Sequence, residues 1–268
     1  MAVRIGMFGA MGRMGRRIIE LAGTDKDLVV TAGIEYPGHP AVGQPLGTLF
    51  GNANLQGKLA GTLHKVINDI DCIIAFATPE ATLDCIRDAH ADRKPMVVGT
   101  TGFTPEQIEE IKRLSQHIPC VMSANMSIGI NILLSLSAQV ARVLHDDFDI
   151  EIVEAHHNQK KDAPSGTAIM LAEAIAKTTN RTLSANAAYG RYGITGPRRA
   201  KEIGIHAVRG GDIVGDHTIL FAGQGERIEI THRAHSRDNF ARGALLAAKF
   251  VVRQPAGLYT MQDVLKLS

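Results

Sequence analysis

The sequence predicts an α/β protein, a doubly wound parallel sheet joined to a second α+β domain with a mixed, mainly antiparallel sheet. Three observations carry that expectation. Strand-length apolar runs alternate with helix-period runs between residues 3 and 122, the pattern of a parallel sheet covered on both faces. A glycine-rich turn, Gly9 to Gly15, separates the first strand from the first helix. After residue 126 the rhythm changes, and strands succeed one another across short turns bearing Gly210-Gly211 and Gly223-Gln224-Gly225. At ~150 residues per domain, 268 residues make about two.

The elements follow in order. Residues 3–8 alternate as a short buried strand, and the helix after the glycine turn runs through Ile18, Ile19 and Leu21. Leu28 to Ile34 is the second strand, ending at Glu35. Ile70 to Ala77 is the next, and Thr78-Pro79-Glu80 reads as a helix start with Pro early. That helix passes Leu83 and Ile86 and leads to a strand over 95–99. A loop over 100–105 precedes a helix from Glu106 to Leu114, and strand Pro119 to Met122 closes in Ser123-Ala124-Asn125. In the second half, an apolar helix from Ile130 to Val143 precedes strand Ile150 to His157, a polar loop, and a helix from Ser165 to Lys177. A loop rich in Gly, Tyr and Arg spans Tyr189 to Lys201. Strands Ile203–Arg209, Ile213–Ala222 and Arg227–Arg233 are then expected to pair as successive hairpins. In the last of them Ile228, Ile230 and His232 alternate with Glu229, Thr231 and Arg233, which predicts one buried face. Helical period returns over 238–253, Pro255-Ala256-Gly257 breaks it, and Thr260 caps a final turn. The expected domains are 1–127 with 237–268, and 128–236.

Composition narrows the function classes. Aromatic residues are 4% with no Trp, a poor supply for stacking single-stranded nucleic acid. A net charge of +2 is no electrostatic footprint for DNA or an anionic membrane, and no apolar run approaches the ~18–20 residues of a membrane helix. The chain enters its first strand at once, with no charged-then-apolar leader. Cys72, Cys85 and Cys120 form no Cys-x-x-Cys pair and read as buried small apolar side chains of a reduced protein. The expectation is a cytoplasmic protein with a small-molecule ligand, no nucleic acid and no membrane.

Two stretches carry candidate chemistry. Gly9-x-x-Gly12-x-x-Gly15 departs from the strict G-x-G-x-x-G spacing. A strand before it, a helix after it, and Glu35, twenty residues beyond Gly15 at the end of the next strand, give it a dinucleotide-binding context. Glycines let a pyrophosphate approach the backbone, and the N–H groups at the helix start meet its charge. Glu35 would accept hydrogen bonds from the adenine ribose, and Arg13, Arg16 and Arg17 are candidate phosphate contacts. A glycine turn serving only helix–strand packing is the alternative. The second stretch, Glu154 to Ala168, gathers His156, His157, Lys160 and the helix start Ser165-Gly166-Thr167. A titratable acid, a fixed cation and a row of backbone donors suit a small substrate with two or more negative groups. Charge-assisted hydrogen bonds of ~1.5–3 kcal/mol outweigh the ~0.3–1 kcal/mol of a helix dipole, so Lys160 and the oriented donors should dominate binding. The alternative is a capped helix after a solvated polar loop. Adjacent strand residues point to opposite faces, so His156 and His157 make a poor metal pair, and no metal is expected. Lys161 reads as a solvated face, His232 and His235 as surface or core-edge residues, and the other histidines, His217 among them, belong to no constellation.

Glu154-Ala155-His156-His157-x-x-Lys160-x-Asp162-Ala163-Pro164-Ser165-Gly166-Thr167 resembles the E-A-H-H-x-x-K-x-D-A-P-S-G-T signature of the dihydrodipicolinate reductase (4-hydroxy-tetrahydrodipicolinate reductase) family at every fixed position. The glycine-rich start, Val98 to Phe103, Ser123 to Gly129 and Gly210 to Thr218 resemble that family as well, in register from first strand to last helix. The resemblance implies a Rossmann-like domain made of both chain ends and a middle substrate domain whose sheet builds a homotetramer. It implies NAD(P)H-dependent reduction of 4-hydroxy-tetrahydrodipicolinate, a cyclic dicarboxylate, in the diaminopimelate route of lysine biosynthesis. By the same resemblance His156 is the catalytic acid/base and Lys160 its cationic partner, while His157, Lys160, Ser165, Gly166 and Thr167 hold the substrate. It also implies that Gly9, Ala10, Met11, Gly12, Arg13, Met14, Glu35, Gly99, Thr100, Thr101, Ser123, Ala124, Asn125 and Met126 contact the cofactor.

Two departures matter. Relatives that use NADPH well often carry Arg directly after the acidic residue, where this chain has Tyr36. Glu35 facing a 2′-phosphate without an adjacent guanidinium predicts a preference for NADH over NADPH. Met126 stands where many relatives have Phe. Another NAD(P)-dependent dehydrogenase of aspartate-derived amino acids, or a non-catalytic nucleotide sensor, would share the first stretch but have no need of the second.

Overall fold

The computed structural model describes residues 1–267. In chain order the elements are β1 (Val3–Phe8), α1 (Arg13–Ala22), β2 (Leu28–Ile34), α2 (Leu46–Phe50), β3 (Lys58–Ala60), β4 (Cys72–Ala75), α3 (Pro79–Ala91), β5 (Met96–Val98), α4 (Pro105–Leu114) and β6 (Pro119–Met122). They continue with α5 (Ile128–Leu144), β7 (Asp149–His156), α6 (Gly166–Thr178), α7 (Leu183–Asn186), β8 (Ala187–Tyr189), β9 (Ile203–Arg209), β10 (Gly215–Ala222), β11 (Arg227–Ala234), α8 (Asp238–Val251), β12 (Gly257–Tyr259) and α9 (Met261–Leu265). The chain divides into two compact units, one formed by Met1–Ile128 with the chain from Asp238 onward, the other by Gly129–Arg237.

The first unit holds a seven-stranded sheet in the order β12-β6-β5-β4-β1-β2-β3, every pairing parallel. Alternate strand residues feed two apolar clusters, one on each face: Ile5, Met7 and Ile74 with α1 and α8, and Ile73, Val98 and Cys120 with α3 and α4. That two-sided burial is why these strands read as nearly continuous apolar runs. Thr78 caps α3, and Thr104 with Gln107 and Thr260 with Asp263 form capping boxes on α4 and α9. The sheet winds outward in both directions from β1, so the glycine turn after β1 lies at the switch point where such sheets hold ligands.

Residues 36–69 carried no legible pattern, yet they contain α2, β3 and two short 3₁₀ turns, Leu63–Lys65 and Ile67–Asp69. Elements of three to five residues are too short to display a period. Strand β4 ends at Ala75, two residues before the expected Ala77.

The second unit is a five-stranded mixed sheet in the order β11-β10-β7-β9-β8, packed on α5 and α6 through Ile150, Ile152, Ile205, Ile219 and Phe221. The expected run of hairpins is corrected here. β10 and β11 do form one, but β9 and β10 are not neighbours, because β7 lies between them, parallel to β9 and antiparallel to β10. Alternation in sequence reports which face of a strand is buried, not which strand lies alongside it. β11 also departs from expectation: as an edge strand it leaves Ile228 38% exposed and Ile230 and His232 only half-buried.

Cys72, Cys85 and Cys120 are free and buried, and burial pushes all three thiols upward, which makes them packing residues. Among the described residues no helix is long and apolar enough to cross a membrane, and no group of three His, Cys, Asp or Glu side chains could hold a metal ion.

Candidate active site

In the first unit, Gly9 follows β1 with φ +80°, and a Cβ there would collide with the Phe76 carbonyl. A Cβ on Gly15 would strike the Gly9 carbonyl, so this glycine lets α1 pack against the strand end. Gly12 is the N-cap of α1 and supplies no side-chain acceptor; its own N–H donates to Gly9 O at 3.1 Å. The first-turn N–H groups of α1 therefore lack intrahelical acceptors, the chemistry an anion needs. Glu35 reaches back from β2, its Oε1 accepting the Met11 N–H at 2.8 Å. A cavity of about 670 Å³ runs from Gly9 and Gly12 past Glu35, Tyr36 and His64 to Thr78, Asp84 and Asp88.

The arginines near this turn are not equivalent. Arg17 is tied to Asp238 and Glu20, and Arg16 donates to the Met11 carbonyl at 3.1 Å while lying over the Phe50 ring. Arg13, at the first position of α1, is exposed. Around the neighbouring strand ends, side chains shape loops. Thr100 Oγ1 accepts the Ala77 N–H at 3.1 Å and bonds Thr82 Oγ1 at 2.8 Å, and the missing Cβ of Gly99 makes room for the Phe76 ring. Ser123 Oγ donates to the Asn125 carbonyl, and Asn125 Oδ1 accepts the Ser127 N–H. Met126 is 2% exposed within the core. The Thr100 and Met126 side chains are thus turned to internal work, and these two positions can meet a cofactor only through their backbone; Thr101 and Ala124 are exposed.

In the second unit, His156 ends β7 and the fully buried Glu154 lies two residues before it on the same face. Glu154 Oε2 stands 2.6 Å from His156 Nδ1, and Oε1 accepts the Ser165 N–H at 3.0 Å. Arg209 on β9 grips both oxygens, at 2.8 and 2.7 Å, and donates to the Asp162 carbonyl at 2.7 Å. Burial alone would push the Glu154 carboxyl up; Arg209, His156 and the Ser165 amide together hold it below its ordinary range. An ionised Glu154 requires Nδ1 of His156 to carry the proton, which leaves Nε2 as the free nitrogen.

Ser165 caps α6, its Oγ accepting the Ala168 N–H at 3.1 Å. Gly166 is exposed, and a Cβ there would meet nothing within 4 Å, so packing does not call for this glycine. Lys160 Nζ donates to Asp162 at 2.9 Å, a pair with an exposed carboxylate that a ligand can replace at little cost. His157 is anchored through its backbone, its N–H donating to Ile213 O and its carbonyl accepting from Lys160 N–H.

His217 completes the cluster from β10. It is 4% exposed, its Nε2 lies 3.1 Å from Ser165 Oγ, and its ring meets His156 edge-to-face at 5.2 Å. Burial, with His156 beside it, pushes His217 down to about 4 despite Glu154. The folded chain therefore holds a neutral imidazole that the unfolded chain protonates below about 6.5. Its contribution to stability is complete above pH 6.5 and is lost, by about 3 kcal/mol, as the pH falls to 4. Urea unfolding at pH 7 and 4.5 should show a smaller difference in His217→Gln than in the wild type; an equal difference would contradict the assignment.

The family model for the dihydrodipicolinate reductase N-terminus matches residues 3–126, and that for the C-terminus matches residues 129–265. The chain belongs to the dihydrodipicolinate reductase family. The 4-hydroxy-tetrahydrodipicolinate reductase of Syntrophobacter fumaroxidans is 48% identical over 263 residues, 98% of either chain, and that of Geotalea daltonii 46% over 265 residues, 99% of either. A solved structure of dipicolinate-bound dihydrodipicolinate reductase from Paenisporosarcina sp. TG-14 superposes with a TM-score of 0.79 at 25% identity, covering 98% of this chain and 99% of that one.

In this member of the family, the sequence-derived site residues fall into two groups. His156, Ser165, Gly166 and Lys160 lie around one strand end and one helix start in the second unit. Gly9 to Met14 and Glu35 gather at the sheet's switch point in the first. Sequence reasoning missed Glu154, Arg209 and His217 as members of the histidine cluster. Glu154 was visible as a carboxylate two residues before His156 on a strand, hence on the same face. Arg209 and His217 had no local signal, since both depend on β9 and β10 flanking β7.

Proposed function

We propose that this chain reduces 4-hydroxy-tetrahydrodipicolinate to tetrahydrodipicolinate with NAD(P)H in the diaminopimelate route of lysine biosynthesis, the first unit binding the dinucleotide and the second the substrate. The observation that carries the reading is the second-unit cluster: an imidazole oriented by a buried carboxylate, beside a releasable ammonium and a capped helix start with an open glycine. When bound, NAD(P)H supplies the hydride. Gly9 to Met14, Glu35 and the exposed Thr101 and Ala124 are the residues to hold it, with Gly99, Thr100, Ser123, Asn125 and Met126 forming the loops beneath. Lys160 and the N–H groups of Gly166 and Thr167 bind the substrate carboxylates, with His157 and Ser165 shaping the cradle. Lys160 also steadies the negative charge that develops on the ring. His156, its Nδ1 proton held by Glu154, delivers a proton from Nε2. Steady-state oxidation of NADH and NADPH with freshly generated cyclic substrate tests the reading; coenzyme that stays reduced refutes it.

NADH is the preferred coenzyme. Carboxylates of Glu35, Asp84 and Asp88 line the cavity, Tyr36 stands where a guanidinium would serve, and Arg16 and Arg17 are already engaged. Tyr36→Arg should raise kcat/KM for NADPH by about tenfold, the worth of one charge-assisted hydrogen bond, and leave that for NADH little changed. An unchanged NADPH value would contradict the explanation. The enzyme is further read as a cytoplasmic homotetramer, to which the half-open face of edge strand β11 lends support; its mass by light scattering checks this.

A further inference from the structure

We propose that Glu154 is a positioning residue that sets the tautomer of His156 and, through the same carboxylate, the start of the helix that binds the substrate. Four donor contacts converge on its two oxygens: His156 Nδ1 and Arg209 Nη1 on Oε2, the Ser165 N–H and Arg209 Nη2 on Oε1. Every partner donates, so no neutral side chain of the same shape can satisfy them. An amide has one accepting oxygen, and its NH₂ would face either the Ser165 N–H or the His156 Nδ1 proton. If Glu154 served burial alone, Arg209 would suffice to neutralise it. The Ser165 amide and His156 instead tie one carboxylate to both halves of the cradle. Ser165 Oγ in turn caps Ala168 N–H and bonds His217, so a displaced Glu154 would move the helix start as well as the imidazole.

The groups near the His156 ring leave the orienting role to Glu154. Arg209 on β9 and Lys160 after β7 are positive, and His217 on β10 is neutral near pH 7. Glu154 is the one carboxylate bonded to the ring among the described residues. Removing its charge therefore leaves no acceptor that requires the proton on Nδ1, and the tautomer of His156 is no longer fixed.

This role is for the reductase chemistry proposed above, and its first test needs no turnover. In the wild-type chain, long-range ¹H–¹⁵N spectra should show neutral His156 protonated on Nδ1. In Glu154→Gln that preference should be lost, and in Glu154→Asp, which keeps the charge, it should be retained. In kinetics, Glu154→Gln should raise KM for the cyclic substrate by about three- to tenfold and leave KM for NADH within about twofold. A wild-type Nε2–H tautomer overturns the proposal even if Glu154→Gln fails to fold, and so does a folded Glu154→Gln whose His156 tautomer and substrate KM are both unchanged. A chain with the expected tautomer that leaves NADH unoxidised refutes the reductase reading and not the role of Glu154.

Discussion

Replacing His156 by Gln should lower kcat by about 10²–10⁴-fold and leave NADH affinity within about twofold. The side chain is only 12% exposed and tied through Nδ1 to Glu154, so its position is set before any ligand arrives. Gln fills a similar volume and can offer its NH₂ to the same carboxylate, which keeps the strand end and helix start in place. It has no proton to release near neutral pH, and that is the one capacity removed. NADH contacts are assigned to residues of the first unit, so its affinity, read by fluorescence titration, should barely change. A kcat within twofold of wild type would rule out His156 as the acid; parallel losses of kcat and NADH binding would mean that the substitution had disturbed the fold.

Arg209→Met should destabilise the chain by about 3–5 kcal/mol at pH 7, the usual consequence of leaving a buried charge without its partner. Glu154 has no exposed surface, and Arg209 supplies two of its four hydrogen bonds while also satisfying the Asp162 carbonyl. The pH dependence identifies the cause. In the wild type the Glu154 carboxyl is held low, so its stabilisation is present above the ordinary carboxyl range and is lost as the pH falls through its folded pKa. Without Arg209, burial dominates and the folded pKa rises, so the penalty grows with pH above the ordinary value. The gap between variant and wild type is therefore widest at pH 7 and narrows toward pH 4. A loss below 1 kcal/mol, or one independent of pH, would show that Arg209 is a surface residue in effect.

Much of this molecule was legible in the chain because local chemistry settles it. β1, α1 and β2, with Gly9, Gly15 and Glu35, sit where the glycine turn and the twenty-residue spacing placed them. Ser165 caps α6 because a serine before a helix-period run has an oxygen to offer its free N–H groups. What the sequence hid was non-local. The pairing of β7 with β9, rather than β9 with β10, is a choice among strands of similar pattern, settled by how the sheet packs on α5 and α6. Arg209 reaches His156 through that pairing and His217 through the pairing of β7 with β10, 53 and 61 residues away in the chain, so no motif could have announced them. Thr100 and Met126 illustrate the converse: both lie in stretches that resemble the family's cofactor loops, yet their side chains face inward.

The most direct measurement is a crystal structure of the chain with NADH and 2,6-pyridinedicarboxylate, a stable ring bearing the substrate's two carboxylates. One carboxylate should take Lys160 Nζ from Asp162, the other should accept from the Gly166 and Thr167 amides, and His156 Nε2 should point at the ring while Nδ1 stays on Glu154. A ring bound elsewhere, or an imidazole turned away from it, would contradict the assignment of this cluster as the place where the substrate is held and protonated.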